Sequence, residues 1–224
     1  MTDFCSNAIL SLMEVWLNDQ NGVGEKIMEE NKHLREENTE ERILDAAFDV
    51  VYEKTISGTR MALIADRAGM FQSNIHYYYK SKHELMMAVH KKVLDRCAEL
   101  QEELLSTCGS DLKERIGVFW GQKREFIVNE QRYDFAEIDF WVQSRVDAQV
   151  KEVFVQSFVV WRAKIEKMLK EFNVPDERAA MLAVVMTSMM EGASIQYLID
   201  PGAFDIDAYF DYCTQMVIRE IRNG

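Results

Sequence analysis

Residues 59–82, which read TRMALIADRAGMFQSNIHYYYKSK, constrain the fold of this chain more than any other stretch. Residues 61–68 have the apolar spacing of a short helix, and Gly69 follows where the backbone has to turn into a left-handed conformation. A second short helix fits residues 72–78. Two short helices joined by a glycine turn are typical of the helix-turn-helix, whose second helix enters the DNA major groove.

The second short helix carries the candidate DNA-contacting side chains. Polar side chains at its N-terminal end would meet base edges, and the basic and aromatic ones farther along suit phosphate contact. The predicted base-edge residues are Gln72, Ser73 and Asn74, and the predicted DNA-binding set adds Thr59, Arg60, His76, Tyr77, Lys80 and Lys82. Thr59 is also predicted to cap the helix that begins near Arg60.

The formal charge of −12 at first argues against DNA, but its distribution favours DNA binding. Residues 54–92 contain seven basic and two acidic residues, net +5, whereas the remainder contains 19 basic and 36 acidic residues, net −17. A basic face on an acidic chain can bind phosphate locally while the acidic part limits non-specific binding.

Three groups of residues in this region resemble the TetR/AcrR family of bacterial transcriptional repressors. They are Arg42-Ile43-Leu44-Asp45-Ala46-Ala47, the pairs Ile64-Ala65 and Ala68-Gly69, and Ile75-His76-Tyr77-Tyr78-Tyr79 with Ser81-Lys82. The resemblance covers residues 39–90 and, more weakly, residues 190–201. Arg60, Phe71 and His76 depart from the family pattern, which usually has Ser or Thr, Ser, and Tyr at these positions.

The composition and the scarcity of proline favour a globular, all-helical chain. Hydrophobic residues make up 48% and charged residues 29% of the 224 residues, and only two prolines, Pro175 and Pro201, interrupt the chain. We predict an all-α fold in which an N-terminal three-helix helix-turn-helix head is joined by a long helix to a helical ligand-binding and dimerisation body. The predicted domains are a 1–38 helical extension, a 39–105 DNA-binding domain with the connecting helix, and a 106–224 ligand-binding and dimerisation domain.

Regular apolar spacing and loop residues also place the longer helices. Ser81 and Glu84 have the spacing of a capping box and start the connecting helix, which is predicted to extend to Leu105. The body helices are predicted at Leu112–Asn129, Tyr133–Ser144, Asp147–Phe172, Asp176–Ile199 and Asp205–Arg222.

Residues 1–38 lie outside the resemblance. Phe4, Ala8, Leu12 and Trp16 form a helical apolar stripe, which packs on the body or on a partner subunit unless Met28 is the natural start; the sequence leaves both open. No basic region precedes an apolar one at the N-terminus, and no apolar run approaches about 20 residues. We therefore expect a cytoplasmic protein without a signal peptide or membrane span.

Large aromatic and methionine side chains of the body are candidates for an apolar ligand cavity between helices. Each is individually more typical of a plain core position. The residues predicted to line the cavity are Trp120, Trp141, Phe158, Trp161, Met186 and Met190. Glu137 and Asp139 either face this cavity and pair with a cationic or hydroxylated ligand, or lie on the solvated face.

The last two predicted helices are apolar on more than one face, so each has to bury a second face. Pairing with their symmetry mates would form a four-helix homodimer interface, as the resemblance also implies. The chain contains no G-x-S-x-G motif, phosphate loop or spaced metal cluster, so no enzyme activity, cofactor or metal is expected. His83 and His90 are interpreted as surface or packing residues.

These features predict a ligand-responsive regulator that represses transcription. It would bind a palindromic double-stranded DNA operator as a homodimer and be released by a small, mostly apolar effector. The alternative is a DNA-binding protein of the same fold that holds a protein partner and senses no small molecule. An empty, well-formed cavity would favour the first function, and a fully packed body the second.

Overall fold

The computed structural model describes residues 38–223, and every regular element in that range is an α-helix. The helices are α1 (38–58), α2 (Met61–Arg67), α3 (Gln72–Tyr78), α4 (Lys82–Thr107), α5 (Leu112–Val128), α6 (Gln131–Gln143), α7 (Ala148–Glu171), α8 (Asp176–Ile199) and α9 (Ile206–Arg222). The all-α prediction is confirmed, and the predicted helix ends lie within a few residues of the observed ones. The predictions for residues 1–37 lie outside the described residues.

Among the described residues, 46–223 belong to one compact unit and 38–45 to another. Residues 38–45 are the helical beginning of α1. From residue 46 onward, Ala46, Ala47 and Val50 of α1 are buried, as their helical spacing predicts. We call residues 46–80 the head and residues 112–222 the body, and α4 lies between them in the chain.

The turn between α2 and α3 is closed by backbone hydrogen bonds. The N–H of Met70 donates to the carbonyl of Ala65 at 3.0 Å, and the N–H of Gly69 donates to that of Asp66 at 3.1 Å. Gly69 has a φ of 65°, in the left-handed region that costs other residues about 1–2 kcal/mol. Together these features form a Schellman ending, so the predicted role of Gly69 is confirmed.

The helix α4 begins with the predicted cap. The Ser81 hydroxyl accepts a hydrogen bond from the backbone N–H of Glu84 at 3.1 Å, and the Glu84 carboxylate accepts one from the N–H of Lys80 at 2.8 Å. Farther along, Leu85 and Val89 are fully buried, and α4 packs against α5 and α6. One continuous helix therefore extends from the head into the body.

The body core lies among α5, α7, α8 and α9. The helix α8 is also long and apolar enough to cross a membrane by length and composition alone. Its residues Leu182, Met186, Met190 and Ala193 are buried in the body core, and α8 packs against α7, α5 and α9. This packing accounts for the apolar composition of α8.

Candidate functional site

The exposed face of α3 carries the predicted base-edge residues. Gln72, Ser73 and Asn74 are all exposed, while Ile75 on the same helix is fully buried. The buried side of α3 packs against α2. The helix therefore presents one turn of amide and hydroxyl groups to the surroundings, which are the groups that can hydrogen-bond base edges.

The C-terminal half of α3 carries the predicted phosphate-contacting residues. The Lys80 ammonium donates hydrogen bonds to the carbonyls of His76 and Tyr77 at 3.2 and 2.8 Å, and it lies 5.7 Å from the centre of the Tyr77 ring. A cation at this helix end offsets the helix dipole and stays exposed. Arg60, the N-cap residue of α2, is exposed and makes no side-chain cap bond.

Two members of the predicted DNA-binding set point away from this surface. Thr59 is buried, and its hydroxyl donates to the carbonyl of Thr55 at 2.7 Å, so the prediction that Thr59 caps α2 is wrong. The Lys82 ammonium donates to the carbonyl of Ile56 at 2.6 Å, and partial burial lowers its pKa. Each side chain donates to a carbonyl near the end of α1, so neither is directed outward with the exposed residues of α3.

A cavity of about 480 Å³ lies among α4, α5, α6, α7 and α8. Its wall is mainly apolar and includes three of the six predicted ligand residues, Phe158, Trp161 and Met190. Trp161 stands edge-on to Phe119 of α5, with 5.8 Å between ring centres. Protein sites for small molecules commonly have volumes of about 300–1,000 Å³ and apolar walls of this kind.

The other three predicted ligand residues lie elsewhere. Trp141 is exposed beside a neighbouring hollow of about 380 Å³. Trp120 is buried, stacks on Phe210 and donates through Nε1 to the Thr214 hydroxyl at 2.9 Å. Met186 is fully buried in the body core. Trp120 and Met186 therefore do not line this cavity, and both side chains are packed in the body core.

A largely buried charge cluster lies at the cavity wall, and three of its members, Lys123, Glu137 and Glu191, line the cavity. The Lys123 side chain is 6% exposed, and its Nζ lies 2.8 Å from Glu137 Oε2, 3.0 Å from Asp134 Oδ1 and 3.3 Å from Glu191 Oε2. The Ser194 hydroxyl donates to the other oxygen of Asp134 at 2.6 Å. Burial opposes the charge of Lys123, but the three carboxylates outweigh it and hold the pKa of Lys123 well above its usual range. Burial raises the pKa of Glu191 to about 7.

Two further polar groups of the wall are buried without a hydrogen-bond partner among the described residues. Gln122 Nε2 donates to the carbonyl of Cys97 at 2.8 Å, which orients the amide and leaves Gln122 Oε1 unpaired. The His90 ring is stacked between Phe140 and Phe154, and its Nδ1 is unpaired. Burial lowers the pKa of His90 to about 4, so the ring is neutral at pH 7. His90 is a packing residue, as predicted.

The predicted pair Glu137 and Asp139 separates on α6. Glu137 lines the cavity, whereas the Asp139 carboxylate accepts a hydrogen bond from the backbone N–H of Ile56 in the head. A second contact joins the start of α4 to the body, because His83 Nδ1 lies 3.1 Å from Asp147 Oδ2. The end of α1 and the first turn of α4 are thus both bonded to body residues.

Known proteins match both halves of the chain. Residues 43–89 match the profile of bacterial regulatory proteins of the tetR family, and residues 136–222 match the C-terminal profile of BetI-type transcriptional repressors. An uncharacterized HTH-type transcriptional regulator in the dhlA 5' region of Xanthobacter autotrophicus is 31% identical over 190 residues, which cover 81% of this chain and 90% of that protein. The chain belongs to the TetR family of transcriptional regulators.

Two other comparisons add to this assignment. RutR of Escherichia coli K12 is 42% identical over 53 residues, which cover 24% of this chain and only 25% of RutR. A protein from Saccharomonospora viridis, described as a transcriptional regulator and crystallised with choline, superimposes with a TM-score of 0.72 at 18% identity over 81% of this chain and 96% of that one. At that identity the second comparison shows the fold alone. The matches over residues 43–89 and 136–222 thus agree with the helical fold of this TetR-family chain.

Two residues beside the candidate sites of this TetR-family chain were not among the predicted site residues. Phe71 is the N-cap residue of α3, makes no cap bond and is 81% exposed. Its departure from the family pattern was the available signal, since an aromatic side chain cannot cap a helix but can contact a thymine methyl group. Gln122 carried no such signal, because a glutamine within an amphipathic helix is usually exposed.

Proposed function

We propose that this TetR-family regulator is a repressor that binds a palindromic operator as a homodimer and releases it when a small, mostly apolar effector enters the body cavity. The observation that carries the proposal is the cavity itself, because its wall includes α4, the helix that begins beside the head. A cavity of this size favours a sensor over a body that only holds a protein partner. The proposal places the protein in the cytoplasm and assigns the cavity no catalytic reaction.

The surface of α3 supports operator binding. Gln72, Ser73 and Asn74 would read base edges, while Arg60 and Lys80 would contact phosphates. In a two-fold dimer the two copies of α3 would enter successive major grooves about 34–36 Å apart, so each half-site of the operator would mirror the other.

Exposed apolar side chains on α8 and α9 support the dimer. Met181 is 64% and Tyr212 62% exposed, and Val184 and Met216 are also exposed. Apolar groups that recur along two adjacent helices would be covered by the same helices of a second copy. A dimer of this kind fixes the distance between the two heads.

The arrangement of α4 supports coupling between effector and operator. Val93, Leu94 and Cys97 of α4 line the cavity, while Lys82 and His83 at its start bond to the head and the body. An effector acts only through different affinities for two conformations. One that favours a shifted α4 would change the spacing of the heads and lower operator affinity.

A two-stage experiment tests the proposal. Purified protein selects its operator from random DNA, and footprinting is expected to show two protected half-sites related by a palindrome. Metabolites are then screened by the fluorescence of Trp161 and for operator release, with Trp161→Phe as the control that removes this signal. An effector that binds without changing operator affinity would contradict the coupling. A body that binds no small molecule would favour the protein-partner alternative.

A further inference from the structure

The charges beside the cavity do not balance. The Lys123 ammonium faces three carboxylates, and the cluster keeps an excess of negative charge when all are ionised, even with Arg162 of the neighbouring hollow counted. Lys164 and Glu152 also line the cavity, but both are exposed and contribute one charge of each sign. Asp134 is 2% exposed, while Glu137 and Glu191 are 24% and 25% exposed, so the excess charge is largely removed from water and a bound cation would offset it.

The unpaired polar groups of the wall favour a ligand that donates hydrogen bonds. Lys123 donates hydrogen bonds to Glu137 and Glu191, and its ammonium is in ionic contact with Asp134 Oδ1 at 3.0 Å. Gln122 Oε1 is a buried acceptor without a partner, and the bond from its Nε2 to Cys97 fixes the amide in that orientation. A buried acceptor of this kind is satisfied only by an N–H or O–H group.

We propose that the effector is a protonated primary or secondary amine with an apolar body, and that Glu137, Glu191 and Gln122 accept its N–H groups. This inference rests on the proposed function, in which the cavity holds the effector. Phe158 and Trp161 supply apolar contact, and aromatic faces also attract cations. A quaternary ammonium ion would leave Gln122 unpaired, and a carboxylate would add to the negative charge.

A matched series of ligands separates charge from apolar contact. The full chain is titrated with octylamine, octanol, octanoate and octyltrimethylammonium, and binding is followed by tryptophan fluorescence and calorimetry. Octylamine is expected to bind at least tenfold more tightly than each of the others. Equal or tighter binding of octanol or octanoate overturns the charge argument, and equal binding of octyltrimethylammonium overturns the donor argument.

Variants of the wall assign the effect to residues. Glu137→Gln and Glu191→Gln each remove a charge at nearly constant size. Each is expected to lower the affinity for octylamine at least tenfold and to change the affinity for octanol less than twofold. Glu152→Gln, at an exposed position of the same cavity, is the matched control and is expected to change the affinity for octylamine less than twofold. Equal losses in the control and the two test variants would overturn the assignment.

A third variant is informative even if the glutamate variants do not fold. Gln122→Leu removes the unpaired acceptor and is expected to abolish the preference for octylamine over octyltrimethylammonium. Melting followed by circular dichroism checks that each variant is folded. Retention of the full preference in a folded Gln122→Leu protein would overturn the role of Gln122.

Operator binding distinguishes a failure of this inference from a failure of the proposed function. If octanoate or another molecule without an amine binds the cavity most tightly and releases the operator, the proposed function stands and the amine inference is wrong. If octylamine binds with the expected preference but the operator is not released, the amine site stands and the effector mechanism is wrong.

Discussion

The carboxylate of Asp139 in α6 accepts a hydrogen bond from the backbone N–H of Ile56 near the end of α1. The carbonyl of Ile56 accepts a second hydrogen bond from Lys82 at the start of α4. Both backbone polar groups of one head residue are therefore held by side chains from outside the head. This is a direct connection between the DNA-binding helices and a helix that lines the cavity.

Replacing Asp139 with Ala should weaken the coupling while sparing effector affinity. The N–H of Ile56 loses its partner, which costs about 1–3 kcal/mol of folding stability, and α6 no longer holds the end of α1. We expect effector affinity within twofold of the parent and incomplete operator release at saturating effector, measured by fluorescence titration and DNA competition. Asp95→Ala, which removes an exposed pair with Lys91 inside α4, is the control. Full release in Asp139→Ala would contradict the link.

Asn74 and Lys80 should differ in what they contribute to DNA binding. Asn74→Ala is expected to lose about 1–3 kcal/mol of discrimination at one base pair, because a bidentate amide contact to a base is lost. Lys80→Ala is expected to lower the affinity for all DNA sequences alike and to reduce the salt dependence of binding. Binding to a set of single-base operator variants measures both effects, with Lys113→Ala on the exposed body surface as the control. Identical profiles for the two variants would rule out the assignment.

Phe71 should contribute to DNA binding and little to folding. Because its ring is mostly exposed and makes no cap bond, Phe71→Ala is expected to leave the melting temperature almost unchanged. Operator affinity is expected to fall severalfold, through loss of an apolar contact with a thymine methyl group. Substituting uracil for thymine in the operator should reproduce the loss in the parent and add nothing in Phe71→Ala. Additive losses would place the ring elsewhere on the DNA.

Charges placed on the exposed row of α8 should separate the subunits. Met181→Glu and Val184→Glu are expected to sediment as folded monomers with weak operator affinity, because one head then binds without its mate. Val185 and Met189 are half-buried and make poorer tests, since a charge there would disturb the core. Val146→Glu, at an exposed site between α6 and α7, is the control. A dimer that survives both α8 variants would place the interface on another face.

Amine binding should depend on pH through Glu191. Burial raises its pKa from 4.5 to about 7. The Lys123 charge opposes this shift, and the charges of Glu137 and Asp134 add to it. On α4, His90 is neutral at this pH, and burial raises the pKa of the Cys97 thiol, so neither adds a charge. Octylamine affinity should therefore rise about tenfold from pH 6 to pH 8, as the fraction of ionised Glu191 grows.

Two measurements check this pH dependence. Titration of octylamine in Glu191→Gln should give an affinity that is flat between pH 6 and 8, and a retained slope would assign the proton to another group. Stability changes in the opposite direction. Between pH 4.5 and 7 the folded protein holds a proton that the unfolded chain has lost, so the contribution of Glu191 to stability falls as the pH rises through this window.

Local features of the fold were predictable from the sequence because their causes are local. The ending of α2 at Gly69 and the cap of α4 by Ser81 and Glu84 depend on residues within a few positions of each other. The positions of the longer helices followed from apolar spacing in the same way. These features place α3 and its exposed polar turn without knowledge of the rest of the chain.

The cavity lining was only half predictable, because it depends on how each helix is rotated against distant neighbours. Trp120 and Trp161 are the same residue type on amphipathic helices, yet one stacks on Phe210 in the core and the other borders the cavity. Lys82 resembled a free phosphate-binding lysine until Ile56, 26 residues earlier, supplied a carbonyl for it. Such pairings are set by tertiary packing and leave no periodic pattern.

The continuity of α4 has a mechanical consequence. Its 26 residues span about 39 Å, so the helix is a rigid lever arm with the cavity along its length and the head at one end. A tilt of about 5° at one end displaces the other by about 3 Å, as follows from that length. Hydrogen bonds to base edges tolerate only about 0.5 Å. Under the proposed function, a rearrangement the size of one side-chain rotation inside the cavity would thus be amplified into a misfit on DNA.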